Sequence, residues 1–210
     1  MTPEELTERH PKLFHVTEPG THRSIREHGL LSTAEILTLF EVEAKERERL
    51  MTARRATAIS LRHPRHGSAV LNDNLPLSEK ALETCLDDGL TPADWLRILN
   101  SKVFFWADEA GLQRLLGARM NQGRQREVLV FDTLRVAEAH LDTLCLCPIN
   151  SGATIRKAAR RGLSTFTAAK AHSYAQWRKL RGRSDKVVEI TVDHAVPRAG
   201  EFLTDVRLVP

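Results

Sequence analysis

Apolar positions along this chain fall into short runs, and the runs switch between the spacing of strands and that of helices. Leu13-Phe14-His15-Val16-Thr17 is a strand pattern in which positions two apart share a face. Phe14 and Val16 can pack on one side while His15 and Thr17 point together to the other. Before it, Thr2-Pro3-Glu4-Glu5 reads as a capped start of a short helix over 2–10. After it, Pro19-Gly20 marks a turn and Thr21–His28 a helix closed by Gly29. Ser32 or Thr33 caps a longer helix, with Ile36, Leu37, Leu39, Phe40 and Val42 on one side, ending near Arg54. Thr57–Leu61 and Ser68–Leu71 read as two strands joined by a loop with Pro64 and Gly67. Helices follow from Ser78 to Leu86 and from Thr91-Pro92 through Trp95, Leu96, Ile98 and Leu99.

In the second half, Val103–Trp106 is a β-prone strand followed by a helix from about Glu109 to Arg119. Val128–Phe131 reads as a buried strand with a helix starting at Asp132-Thr133, and Cys145–Pro148 as a further strand. A helix over Thr167–Leu180 and an alternating strand over Lys186–Val192 complete the pattern. Short strands between helices of unequal length, with hairpin signals, predict one α+β domain over 1–210 with a mixed or antiparallel sheet flanked by helices. No strand runs into a Gly-rich dinucleotide loop, which speaks against parallel βαβ winding.

Composition adds limits. The chain has 210 residues, of which 41% are hydrophobic, enough for a substantial core. The polar, acidic opening does not read as a signal peptide, and no run of about 18 apolar residues suggests a membrane span. Cys85, Cys145 and Cys147 are odd in number and include Cys-x-Cys, which argues against a disulfide framework and for a cytoplasmic protein. The net charge of +4 is unevenly spread. Thr143–Ser184 holds no acidic residue, yet carries Arg156, Lys157, Arg160, Arg161, Lys170, Arg178, Lys179, Arg181 and Arg183. Such a field attracts a polyanion or a phosphorylated ligand, or is a solvated basic face offset by acids elsewhere.

Three segments carry a resemblance: Leu13–Thr17 before a helix ending in Gly29-Leu30, Val103-Phe104-Phe105-Trp106-Ala107-Asp108, and Val187-Val188-Glu189-Ile190-Thr191-Val192. Their order resembles the ADP-ribosyltransferases of the His-Tyr-Glu type, among them DNA-targeting bacterial toxins and tRNA 2′-phosphotransferases. The whole chain is also similar to a bacterial protein family of no assigned activity. The resemblance implies a split sheet that binds NAD⁺ as a substrate. His15 would then bond the adenosine-side ribose, the Val16 backbone would hold the nicotinamide amide with Thr17 in support, and Phe105 and Trp106 would wall the pocket. Glu189 would be catalytic: a carboxylate facing an oxocarbenium-like state stabilises it beyond the ground state.

Two departures stand out. The tyrosine of the pattern is replaced by Leu115 or Leu116, the chain's only tyrosine being Tyr174. Glu127, in Arg126-Glu127-Val128-Leu129, resembles the glutamate strand almost as well. Glu189 could instead face solvent or pair with an arginine. Arg23, Arg26, Arg114 and Arg119 are candidate phosphate ligands. Asn150-Ser151-Gly152 is a loop of small polar groups suited to an anion, or an ordinary turn.

The expected function is transfer of ADP-ribose to a macromolecule, nucleic acid being suggested by the basic run. The alternatives are a nucleic-acid-binding module without catalysis, stacking bases on Tyr174 and Trp177, a pseudoenzyme, or an NAD⁺-dependent RNA 2′-phosphotransferase. A zinc site from His63, His66, Cys145 and Cys147 has the wrong spacing for common zinc modules, so no metal is expected.

Overall fold

The computed structural model describes residues 1–155, 158–182 and 186–209, with only the backbone of Met120. In chain order the elements are α1 (Pro3–Arg9), β1 (Lys12–Thr17), α2 (His22–His28), β2 (Leu30–Leu31), α3 (Thr33–Leu39), α4 (Ala44–Thr52), β3 (Ile59–His63) and β4 (Gly67–Leu71). Then come α5 (Glu79–Cys85), α6 (Pro92–Asn100), β5 (Lys102–Trp106), α7 (Glu109–Leu116), β6 (Arg126–Asp132), α8 (Thr133–His140) and β7 (Leu144–Cys147). The last are β8 (Thr167–Ala168), α9 (Tyr174–Arg181), β9 (Glu189–Asp193), β10 (Ala195–Val196), α10 (Ala199–Phe202) and β11 (Leu203–Val209). Among the described residues no helix is long and apolar enough to cross a membrane.

Seven strands form one antiparallel sheet in the order β11-β6-β1-β5-β9-β7-β8. The fold is therefore α+β, with helices packed on the sheet. Alternation along the strands separates two faces. Leu13, Val103, Phe105, Leu129, Phe131, Leu144, Leu146, Ile190 and Val192 face a core shared with Trp177 and Val136. Each such side chain, once fully buried, contributes about 1.5–3 kcal/mol. Phe14, Val128 and Val130 face the other way, onto Leu112 of α7. Trp177 is 1% exposed and lies in the main core, with Tyr174 stacked on it at 6.1 Å. Neither forms a free platform for bases.

Two predicted helices are divided. The chain turns between α3 and α4 at Glu41, in the left-handed region at φ 51°. There the Glu41 and Val42 amides donate to the Thr38 and Leu37 carbonyls, a Schellman closure without its usual glycine. Glu43 then caps α4 by accepting from the Glu46 amide. Thr167–Leu180 is not one helix either: Thr167–Ala168 pairs with β7, and α9 starts at the Ser173–Gln176 capping box.

Residues 33–77 build a cap with its own small core, Leu37, Leu50 and Leu71 backed by Ile36, Val42, Met51, Ile59 and Leu61. The hairpin β3–β4 belongs to this cap and pairs with no strand of the main sheet. β2 is docked instead on β10. Gly29 makes that docking possible: its φ is +80°, and an added Cβ would lie 2.6 Å from the Val196 carbonyl oxygen.

Candidate functional site

The sheet is split at its centre. β1 pairs with β6 over six positions and β5 with β9 over five, yet β1 and β5 meet only at Phe14 and Trp106. Beyond Phe14 the two strands part. His15 reaches across the gap, its Nδ1 2.9 Å from the Phe104 carbonyl oxygen. A carbonyl only accepts, so Nδ1 carries the proton and Nε2 is left as the ring's acceptor. Burial pushes the imidazole pKa down, with the Phe104 bond opposing, so the ring is neutral at pH 7.

A cavity of about 340 Å³ opens at the split. His15, Val16, Thr17, Phe104 and Trp106 form its floor, α2 and β2 one side, and Ser68–Leu71 of the cap hairpin the other. Leu115, one of the two leucines that stand where the resemblance would place a tyrosine, also lines it. Its apolar walls with a few polar groups are the usual makeup of a small-molecule site. The Thr17 hydroxyl accepts from Thr21 Oγ1 at 2.9 Å.

Two cations in the lining were not among the sequence candidates. Lys102 is ion-paired with Asp193. Arg55 is buried, donating from Nε to the Asn72 carbonyl (2.9 Å), from Nη1 to the Leu50 carbonyl (2.9 Å) and from Nη2 to Asn100 Oδ1 (3.1 Å). It thus staples the cap to α6. Burial pushes its pKa down to about 10, the Asp73 carboxylate opposing, so it stays charged at pH 7. Among the described residues no carboxylate lies within ion-pair distance of it. The only hint in the sequence was the Arg54-Arg55 pair ahead of a hairpin, which any surface loop could carry.

Glu189 is buried and lies outside the cavity lining, but it is the register partner of Trp106, which is in it. Ser151 holds the carboxylate: its hydroxyl donates to Oε2 at 2.7 Å and its amide lies 3.2 Å from both oxygens. Arg161 fixes that loop in turn, donating to the Ser151 and Ala153 carbonyls at 2.9 and 3.0 Å. Burial raises the Glu189 pKa to about 7, against the opposing bonds from Ser151.

Glu127 has a different task. It accepts from the amides of Gly20 and His22 and from His22 Nδ1, each at 2.9 Å. The helix α2 has no cap bond from its own N-cap residue, Thr21, so a β6 carboxylate does the capping. Burial would raise its pKa, but these hydrogen bonds hold it below the ordinary value.

The remaining candidates are scattered. Phe105 is 1% exposed and faces the main core, since alternation sends it away from Trp106. Arg23, Arg26, Arg114, Arg119 and Asn150 are exposed and outside the cavity lining, whereas Ser151 is consumed by Glu189. Of the basic run, Arg156, Lys157, Arg183 and Ser184 lie outside the described residues. Cys145 and Cys147 pack within β7, while His63 and His66 stack at the cap hairpin. Among the described residues no group of three His, Cys, Asp or Glu is placed to hold a metal ion.

A family model described as a family of unknown function, DUF7002, matches residues 11–203. The chain belongs to the DUF7002 family. No curated protein matches it. The match to DUF7002 takes in β1, the cap, the split and β9, so the whole cavity lies inside the family's span.

Proposed function

We propose that this DUF7002 protein binds NAD⁺ in the split-sheet cavity and transfers ADP-ribose to a macromolecular acceptor. The observation that carries the reading is His15 bridging β1 and β5 at the cavity floor, with Glu189 one strand further along and next to Trp106. Nε2 of His15 can accept from a ribose hydroxyl, and the apolar walls suit a planar ring and exclude water. Arg55 supplies positive charge for a pyrophosphate at the wall. NAD⁺ itself brings a good leaving group, nicotinamide, which departs with the electron pair of its bond to ribose. Glu189, released by Ser151, would hydrogen-bond a ribose hydroxyl and stabilise positive charge on the sugar.

The basic run favours nucleic acid as the acceptor. A second reading, a protein that binds NAD⁺ without turning it over, is favoured by a leucine standing where the resemblance would place a tyrosine and by the Ser151 grip on Glu189.

The test is incubation with labelled NAD⁺ and cell lysate, digested with nuclease or protease to locate the label. Wild type is expected to label a macromolecule, and Glu189→Ala and His15→Ala to lose the labelling while Glu127→Ala keeps it. NAD⁺ binding without product supports the second reading. Neither binding nor product overturns both.

A further inference from the structure

The cap hairpin walls the cavity with Ser68–Leu71, and its two ends are held in different ways. Its base is pinned by hydrogen bonds. The Asn74 amide donates to the Arg55 carbonyl at 2.8 Å, the Arg55 amide to Asn74 Oδ1 at 3.1 Å, and the Arg55 guanidinium ties the same segment to α4 and α6. Its tip rests on rings. His66, in the turn, lies 5.8 Å edge-on from His28 of α2 and 4.7 Å in a stack with His63 of β3. Phe40, at the end of α3, packs against both hairpin imidazoles, at 6.0 Å from His63 and 6.3 Å from His66. His28 also lines the cavity. The hairpin is therefore anchored at its base and in the cap core through Ile59, Leu61 and Leu71, while its tip meets α2 through the His28–His66 contact.

We propose that the tip of the β3–β4 hairpin is a lid on the cavity, held shut by the His28–His66–His63 ring stack and opened when acid charges His66. It rests on the cavity and the ring contacts, independently of what the cavity binds.

Charges around the stack decide the sign. Glu41 accepts from Arg65 Nη2 at 2.7 Å and faces His63 Nε2 at 3.6 Å. Glu27 lies 3.9 Å from His28 Nε2, and Glu35 lines a shallow recess beside His28. Arg62 and Arg65 are the cations of the hairpin itself. The Arg65 amide donates to His63 Nδ1 at 3.2 Å, so that nitrogen is an acceptor and Nε2 is the one facing Glu41. Glu41 already answers Arg65 and His63. Among the described residues, a proton on His66 would therefore face His63, Arg65 and His28 without a carboxylate of its own. Partial burial, then those same neighbours, lower the His66 pKa, with Glu41 opposing.

In the open state His66 is free of these neighbours and returns toward about 6.5. The closed state is thus favoured above that value and loses its advantage as pH falls toward the lower closed-state pKa. Each unit of difference between the two pKa values raises the open-to-closed ratio by up to about tenfold.

Trp106 reports on the lid, since Trp95 and Trp177 are 0% and 1% exposed while Trp106 lines the cavity. Quenching by acrylamide, which is uncharged, is followed from pH 7.5 to 5 in wild type, H66Q and W106F, with far-UV circular dichroism to monitor the fold. Wild type is expected to show a step up in quenching below pH 6.5 with its circular dichroism unchanged, and W106F no step. H66Q is expected to lose the step, whether its hairpin sits closed or open throughout. Protection factors of the Ser68–Leu71 amides, corrected for the intrinsic slowing of exchange with falling pH, are expected to drop over the same pH range in wild type alone. A flat wild-type profile, or a step that survives in H66Q, would overturn the proposal.

Discussion

Replacing Glu189 by glutamine tests the electrostatics of the site without changing its shape. The carboxyl is buried, and its pKa is raised from an ordinary 4.5 to about 7. An acid whose folded pKa lies above its unfolded value contributes most below the unfolded value. That stability is lost as pH rises through the window from 4.5 to about 7. About 2.5 units at 1.36 kcal/mol each amounts to roughly 3 kcal/mol by pH 8. Glutamine keeps an oxygen for the Ser151 hydroxyl and amide and has no charge to desolvate. Urea unfolding of both proteins at pH 5 and pH 8 measures the difference. Because the unfolded carboxyl is already mostly ionised at pH 5, wild type is expected to lose about 2.5 kcal/mol relative to Glu189→Gln between the two, and a domain this size would shift its Tm by about 2–4 °C per kcal/mol. A difference that is the same at both pH values, or that favours wild type at pH 8, would refute the reasoning.

Other expectations follow from individual contacts. Glu127→Gln loses the charge that caps α2, and chemical denaturation should show a loss of about 1–2 kcal/mol. Gly29→Ala forces a Cβ onto the Val196 carbonyl at a positive φ, so thermal unfolding should reveal at least about 1–3 kcal/mol of destabilisation. Arg55→Lys keeps the charge but not the planar fork, and calorimetry should find NAD⁺ binding weakened about tenfold or more. Unaltered binding in that variant would assign Arg55 to the cap alone.

Much of the fold was legible because the local signals were strong. Thr2, Ser78 and the Thr91-Pro92-Ala93-Asp94 box placed helix starts correctly. β1, β5 and β6 stood out as short apolar runs. The break between α3 and α4 was hidden, because its left-handed residue is Glu41 and the signal for such a turn is glycine. β11 was missed, since its mix of Leu203, Asp205 and Arg207 suits an edge strand and alternates weakly.

The site was read in part. His15, Val16, Thr17 and Trp106 do line one cavity; the alternation visible in sequence accounts for His15 and Thr17 sharing a face, but not for Val16. Phe105 was misassigned within the same strand for want of knowing which face held the core. Arg55, Asn72 and the hairpin wall come from a separate small unit folded over the sheet, and no local pattern announces that long-range placement. Arg23, Arg26, Arg114 and Arg119 were plausible by position, but they are exposed and do not line the cavity.

The central claim is that His15 marks an NAD⁺ site. Isothermal titration of NAD⁺ into wild type and His15→Ala at pH 7.5 tests it most directly. Saturable binding to wild type, weakened about tenfold or more by loss of one imidazole bond, is the predicted result. An absence of binding to wild type, or equal affinity in His15→Ala, would contradict it.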